Sequence, residues 1–355
     1  MENRSSLPGC LRAVLPLWLM LCGEGYAQPS ICPGSAIALD VSAAAKPFVR
    51  MRLGAHEGNF LIDTGATRTH VDSGLYGVAP GSRIALSGSS LPTLAGGTFW
   101  AVDLSSQKPF APRGGFAGAI GTDVLSTRTV EFHYDATPPY LVLSTQPCEP
   151  QLFEGAGFVA IAQQGYGASD AWRAWVASRV APDAEIARRS NLPIIYARIG
   201  GVVAPFWLDT GLGDRTARQL TLHVNGTILA RLREDKVSMK RAGAVISSDC
   251  QGNRARDEIW QVDDAPIVFT TEEGRTLFAH DGPLLQLRGK TPCGTIGNWE
   301  EPLGAVGTLF LPRWGTVVFD GPNKRVWVRR AATVALSGGA PDSRGRDAAR
   351  EGQPD

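Results

Sequence analysis

The chain has 355 residues, 43% of them apolar and 19% charged, with a formal net charge of +1. That is enough apolar material for one large domain or two medium ones. It is too little charge asymmetry for a global field that would draw in nucleic acid or an anionic membrane. Local basic clusters such as Arg231, Arg233 and Lys236 are interrupted by Glu234 and Asp235 and read as solvated surface.

Residues 1–27 open with Arg4 and Arg12, continue with the apolar run "AVLPLWLMLC" and end on small residues at Gly25 and Ala27. This is the pattern of a cleaved signal peptide, and the run is too short to span a bilayer. The sequence therefore predicts an exported protein, periplasmic or secreted, with no membrane span. Cleavage removes Cys10 and Cys22 and leaves Cys32, Cys148, Cys250 and Cys293. An even number in an exported chain predicts two disulfides. Of the three possible pairings, Cys32–Cys148 and Cys250–Cys293 keep each bridge within one half of the chain. No Cys/His group has zinc-site spacing, so no metal is expected.

The next segment, residues 28–150, carries "KPFVRMRLGAHEGNFLIDTG", and residues 191–330 carry "LPIIYARIGGVVAPFWLDTG". Without a gap, Asp63 aligns with Asp209, Phe60 with Phe206, Gly54 with Gly200, Arg52 with Arg198 and Pro47 with Pro193. Each stretch reads as a β-hairpin: an alternating strand, a glycine turn, and a second strand ending at the aspartate. Downstream, "GAIGTDVL" (118–125) matches "GAVGTLFL" (304–311), and each is followed by two β-rich segments around an Asp-containing turn. A whole unit is duplicated, at a period too long for a solenoid.

Between the units, residues 151–190 form a linker in which Ser169 is placed to cap a short helix carrying Trp172, Trp175 and Val176 on one face. In the second unit, "TLHVNGTILARL" contains Asn225-Gly226, a strong hairpin-turn signal that also explains an apparent glycosylation acceptor at Asn225. Residues 331–355 have little to bury and read as a disordered tail.

Apolar-apolar-Asp-Thr-Gly followed by an apolar-apolar-Gly box resembles the aspartic peptidases. Two copies in one chain are similar to the bilobal, pepsin-like arrangement, while "DTGAT" and the short distance from Asp63 to Gly118 are closer to the single-lobe retropepsin-like unit. The likeness covers about residues 45–145 and 191–330, and is to an exported, bacterial-type member. It implies an all-β fold of two pseudo-symmetric, β-barrel-like lobes with a cleft between them and a short helical linker.

It also implies an aspartic endopeptidase that acts on a peptide or unfolded protein as a monomer, with no cofactor and no nucleic-acid partner. Asp63 and Asp209 would be the catalytic pair. Two carboxylates so close cannot both ionise cheaply, so they hold one proton between them. In the active-site loops, Thr64 and Thr210 would bond across the axis, and Gly65 and Gly211 would permit tight turns. Ile120-Gly121 and Val306-Gly307 would pack beneath the loops. Ala66 and Leu212 stand where pepsin-like enzymes usually carry a hydroxyl residue. Loss of those bonds to the carboxylates should raise the pair's pKa values and extend activity toward mildly acidic pH.

The rival expectation is an inactive relative that keeps the fold and binds peptides or a protein partner. A Ser-His-Asp hydrolase is disfavoured by the lack of a G-x-S-x-G elbow, and H-E-x-x-H is absent too. The five histidines read as scattered structural residues.

Overall fold

The computed structural model describes residues 30–41, 45–105, 111–144, 146–166, 192–213, 219–248, 253–291 and 296–329. The signal segment, the tryptophans of the linker, the proposed Cys250–Cys293 bridge and the tail all lie outside them.

The described residues are mostly β. The first half contains β1 (Gly34–Ala38), β2 (Phe48–Leu53), β3 (His56–Ile62), β4 (His70–Asp72), β5 (Arg83–Ala85), β6 (Thr98–Val102), β7 (Phe116–Ile120), β8 (Thr129–His133) and β9 (Tyr140–Ser144). Two strands follow in the connecting region, β10 (Phe158–Ala160) and β11 (Gln163–Tyr166). The second half contains β12 (Pro193–Ile199), β13 (Val202–Leu208), β14 (Thr221–Val224), β15 (Met239–Ser248), β16 (Arg254–Val262), β17 (Ile267–Thr270), β18 (Thr276–His280), β19 (Leu284–Leu287), β20 (Gly304–Val306), β21 (Thr316–Asp320) and β22 (Arg325–Arg329).

Both hairpins read from the sequence are present. Strands β2 and β3 pair antiparallel, with Phe48 opposite Leu61, and turn at Gly54, whose φ is +61°. Strands β12 and β13 pair with Ile194 opposite Trp207 and turn at Gly200, φ +59°. A side chain at either turn would strain the left-handed backbone.

Each aspartate-bearing strand then takes a parallel neighbour from its own half. Strand β3 pairs with β7, Ile62 opposite Ile120, and β13 pairs with β20, Leu208 opposite Val306. The leading glycine of each box has a packing reason. A Cβ on Gly118 would strike the Phe60 ring and the His70 carbonyl, and one on Gly304 would strike the Phe206 ring and the His223 carbonyl.

The strands form three sheets. One runs β2-β3-β7-β4-β6-β5, and a larger one runs β15-β16-β19-β14-β20-β13-β12-β17-β18, with β11 added on β12. The third, β1-β9-β8-β21-β22-β10, joins the halves: β8 lies antiparallel to β21, with His133 opposite Thr316 and Thr129 opposite Asp320. Its strands β8, β9 and β21 are buried along their whole length. The Cys32–Cys148 disulfide closes beside it, within a cluster that includes Phe153, Phe158 and Trp327. The start of the expected linker is built into the sheets, because β10 pairs with β22 and β11 with β12.

Two expectations are corrected. Among the described residues no sheet closes into a barrel; the apolar faces are covered instead by a shared core that includes Ile62, Ile120, Phe206, Leu208 and Val306. Asn225-Gly226 is not a hairpin turn. Asn225 has φ −93° and caps helix Gly226–Glu234, accepting from the Ile228 N–H at 3.0 Å. Its amide is fully buried and donates to the Trp299 and Glu301 carbonyls. A capping bond and two buried carbonyls outweigh the local turn preference. No helix among the described residues is long and apolar enough to cross a membrane.

Candidate active site

The strand ending at each aspartate delivers it in the same way. The N–H of Asp63 donates to the Ile120 carbonyl at 2.9 Å, and that of Asp209 to the Val306 carbonyl at 2.9 Å. Each loop then folds over its glycine. The Ala66 carbonyl accepts from the Thr122 N–H (2.8 Å) and hydroxyl (3.1 Å), while the Leu212 carbonyl accepts the same two bonds from Thr308, at the same distances. Gly121 and Gly307 sit under the loops so closely that a Cβ would strike the carbonyls of Arg68 and Ala66, or of Leu212. Thr122 and Thr308 were missed in the sequence reading, although a shared threonine ends both Gly-x-x-Gly-Thr boxes.

The two loops meet. The Thr64 N–H donates to Thr210 Oγ1 at 2.8 Å, and the Thr210 N–H to Thr64 Oγ1 at 3.0 Å. The Thr64 hydroxyl donates to the Leu208 carbonyl and the Thr210 hydroxyl to the Ile62 carbonyl, each at 2.6 Å. Both threonines are buried. The glycines face the opposite carboxylates: a Cβ on Gly65 would collide with the Asp209 carboxylate, and one on Gly211 with that of Asp63. So Asp63, Thr64, Gly65, Ala66, Thr210, Gly211, Leu212 and Asp209 come together at one point, backed by Ile120-Gly121 and Val306-Gly307.

The carboxylates are held differently. Asp63 Oδ1 accepts from the Gly65 N–H (2.9 Å) and the Ala66 N–H (3.1 Å), whereas among the described residues Asp209 Oδ1 accepts a backbone N–H from Gly211 alone (2.8 Å). Burial first, and the neighbouring Asp63 charge second, push Asp209 up to about 7. The Gly211 N–H and the Lys46 charge oppose the rise, and a hydrogen bond with Asp63 adds to it. Both aspartates nevertheless keep some exposure to solvent.

Lys46 is a third residue the sequence reading missed. It is only 8% exposed. The Ile62 N–H donates to the Pro47 carbonyl, so Lys46 falls beside Asp63 in the hairpin. The position equivalent to it beside Asp209 is Leu192, an ordinary buried leucine.

A row of paired side chains leads away from each aspartate, starting two residues before it. In the first half it is Leu61, Ala119, His70, Trp100 and Arg83; in the second it is Trp207, Ala305, His223, Gln286 and Ile259. The adjacent row in the second half, Leu208-Val306-Leu222-Leu285, is fully buried, so the rows alternate core and partly open face. His70 and His223 thus hold equivalent places, each in a His-Val-(Asp/Asn) run whose last residue caps a helix. Burial lowers the pKa of both. The Asp63 charge opposes the drop at His70, and the Arg288 charge adds to it at His223, which falls to about 3. Trp100 lies under two guanidinium groups, those of Arg68 and Arg83, each 4.7 Å from its ring.

A pair of carboxylates that share a proton and stay open to solvent can act as base and acid in one step. Among the described residues no group of three or more His, Cys, Asp or Glu is arranged to hold a metal ion. No protein-family model matches the chain, and no curated protein matches it.

Proposed function

We propose that the chain is an aspartic endopeptidase, built as two pseudo-symmetric lobes that each contribute one aspartate to a shared site. The observation that carries this reading is the reciprocal bonding of Thr64 and Thr210, which sets each loop glycine against the opposite carboxylate. In the proposed reaction a water lies between Asp63 and Asp209. The ionised carboxylate takes a proton from the water as its oxygen attacks the peptide carbonyl carbon. The protonated carboxyl gives its proton to the carbonyl oxygen. The tetrahedral intermediate then collapses: the C–N bond breaks, the leaving nitrogen takes a proton, and the pair returns to its singly protonated state. The reading includes a peptide or unfolded-protein substrate, a monomeric enzyme, no cofactor, and export to the periplasm or medium.

The test is incubation of the protein lacking residues 1–27 with an unstructured protein from pH 3 to 8, alongside an Asp63→Asn variant. Cleavage by the wild type and none by the variant is expected. Inactivity of both, with peptide binding retained, would support the rival reading of a fold that binds without cutting.

A further inference from the structure

We infer that the side chain the site accepts beside Asp209 is acidic, and that Arg288 selects it; the inference rests on the peptidase reading above. Arg288 follows Gln286, a member of the row that leads away from Asp209, by two residues. Its backbone N–H is tied to the Val224 carbonyl at 3.0 Å. Its guanidinium is fixed on two sides. Nη1 lies 3.2 Å from His223 Nδ1, which accepts because His223 is neutral there. Nε lies 3.2 Å from Asp257 Oδ2.

Asp257 is itself immobilised. It is fully buried on β16 and accepts from Gln286 Nε2 at 2.6 Å and from the Gly289 N–H at 2.8 Å. The orientation of the guanidinium is therefore set before any ligand arrives, which spares the usual ordering cost of a long side chain on binding.

The fork is not saturated. Nη2 makes no hydrogen bond among the described residues, and Nε, although close to Asp257, is not aligned for one. The side chain keeps 12% exposure. Nη2 of a fixed guanidinium is thus left unbonded beside His223, a member of the row that starts beside Asp209, and Arg288 feels the Asp209 charge. Lys46, from the first half, is a second cation whose charge reaches Asp209. The first-half row differs: it leads to Trp100 stacked with Arg68 and Arg83. A fixed guanidinium with an unbonded Nη2 is best matched by a carboxylate, through a charge-assisted bond. A substrate glutamate or aspartate supplies one, and a glutamine does not.

The experiment measures binding of two fluorescent peptides that differ only by Glu or Gln within two residues of a mapped cut site. The protein is the Asp63→Asn variant, so the readout does not depend on cleavage. The Glu peptide is expected to bind about tenfold tighter or more. Adding Arg288→Gln should bring the two within about threefold. Because Arg288→Gln leaves Asp257 buried without its cation, an Asp257→Asn/Arg288→Gln pair is measured as well. Equal affinity for the two peptides in the Asp63→Asn protein, or a preference that survives both Arg288 variants, would overturn the inference. Absence of cleavage by the wild type would instead count against the peptidase reading, and the binding comparison, made then on peptides taken from the unstructured test protein, still decides the role of Arg288.

Discussion

Thr64 and Thr210 each give a backbone N–H to the other's hydroxyl, and each donates its own hydroxyl to the carbonyl just before the opposite aspartate. Removing either hydroxyl leaves one buried N–H and one buried carbonyl without a partner. Thr64→Val or Thr210→Val is expected to cost about 2–4 kcal/mol of stability and most of the activity, while Thr→Ser at either position should restore much of both. Urea midpoints and cleavage rates check this together.

Gly65 and Gly211 touch the carboxylates across the pair, so a single methyl there cannot be absorbed by a flexible neighbour. Gly65→Ala is expected to cost about 1–3 kcal/mol by overpacking and to lower kcat about 100-fold or more by displacing Asp209. Gly211→Ala should do the same through Asp63. Turnover and thermal melts measured on each variant test the claim, and a fully active Gly65→Ala protein would argue against the contact.

Asp209 is raised from the ordinary aspartate range to about 7. Between about pH 4 and 7 the folded chain therefore holds a proton that the unfolded chain has released. Stability from this group is complete below about pH 4 and is lost as pH rises through about 7, with a slope of at most about 1.4 kcal/mol per pH unit. Asp209→Asn should flatten that dependence and be more stable than wild type near pH 7. The same shift places the upper limb of the pH–rate profile near pH 7. Denaturant midpoints at pH 4.5 and 7.5, for both proteins, give the comparison.

The Cys32–Cys148 bridge spans 116 residues of sequence. In the chain-entropy account a loop of that length contributes about 4–5 kcal/mol at most. A Cys32→Ala/Cys148→Ala protein should lose a large part of that while keeping its pH–rate profile, since the bridge lies by the sheet that joins the halves and away from Asp63 and Asp209. Unfolding of wild type with and without reductant provides the check.

Much of this was legible in the sequence where the cause is local. Gly54 and Gly200 mark hairpins because only glycine sits easily at their positive φ. Gly118 and Gly304 mark the parallel strands because a phenylalanine ring packs on each. Asn225 misled because its side chain answers to Trp299 and Glu301, more than seventy residues away. The match of His70 with His223 was hidden by spacing: His70 lies seven residues after Asp63, His223 fourteen after Asp209. Lys46 carries no local signal, and only the hairpin register sets it beside Asp63. Arg288 lies just past β19 and Asp257 on β16, and no sequence spacing links a guanidinium to the carboxylate that orients it.

The shared proton is tested most directly by carbon-detected NMR titration of the aspartate carboxyls in wild type and in Asp63→Asn. Asp209 should titrate near pH 7 in the wild type and move down when Asp63 can no longer carry charge. An Asp209 that titrates in the ordinary carboxylate range, or that does not respond to the Asp63 substitution, would mean that the two side chains act independently and that the proposed chemistry has no basis.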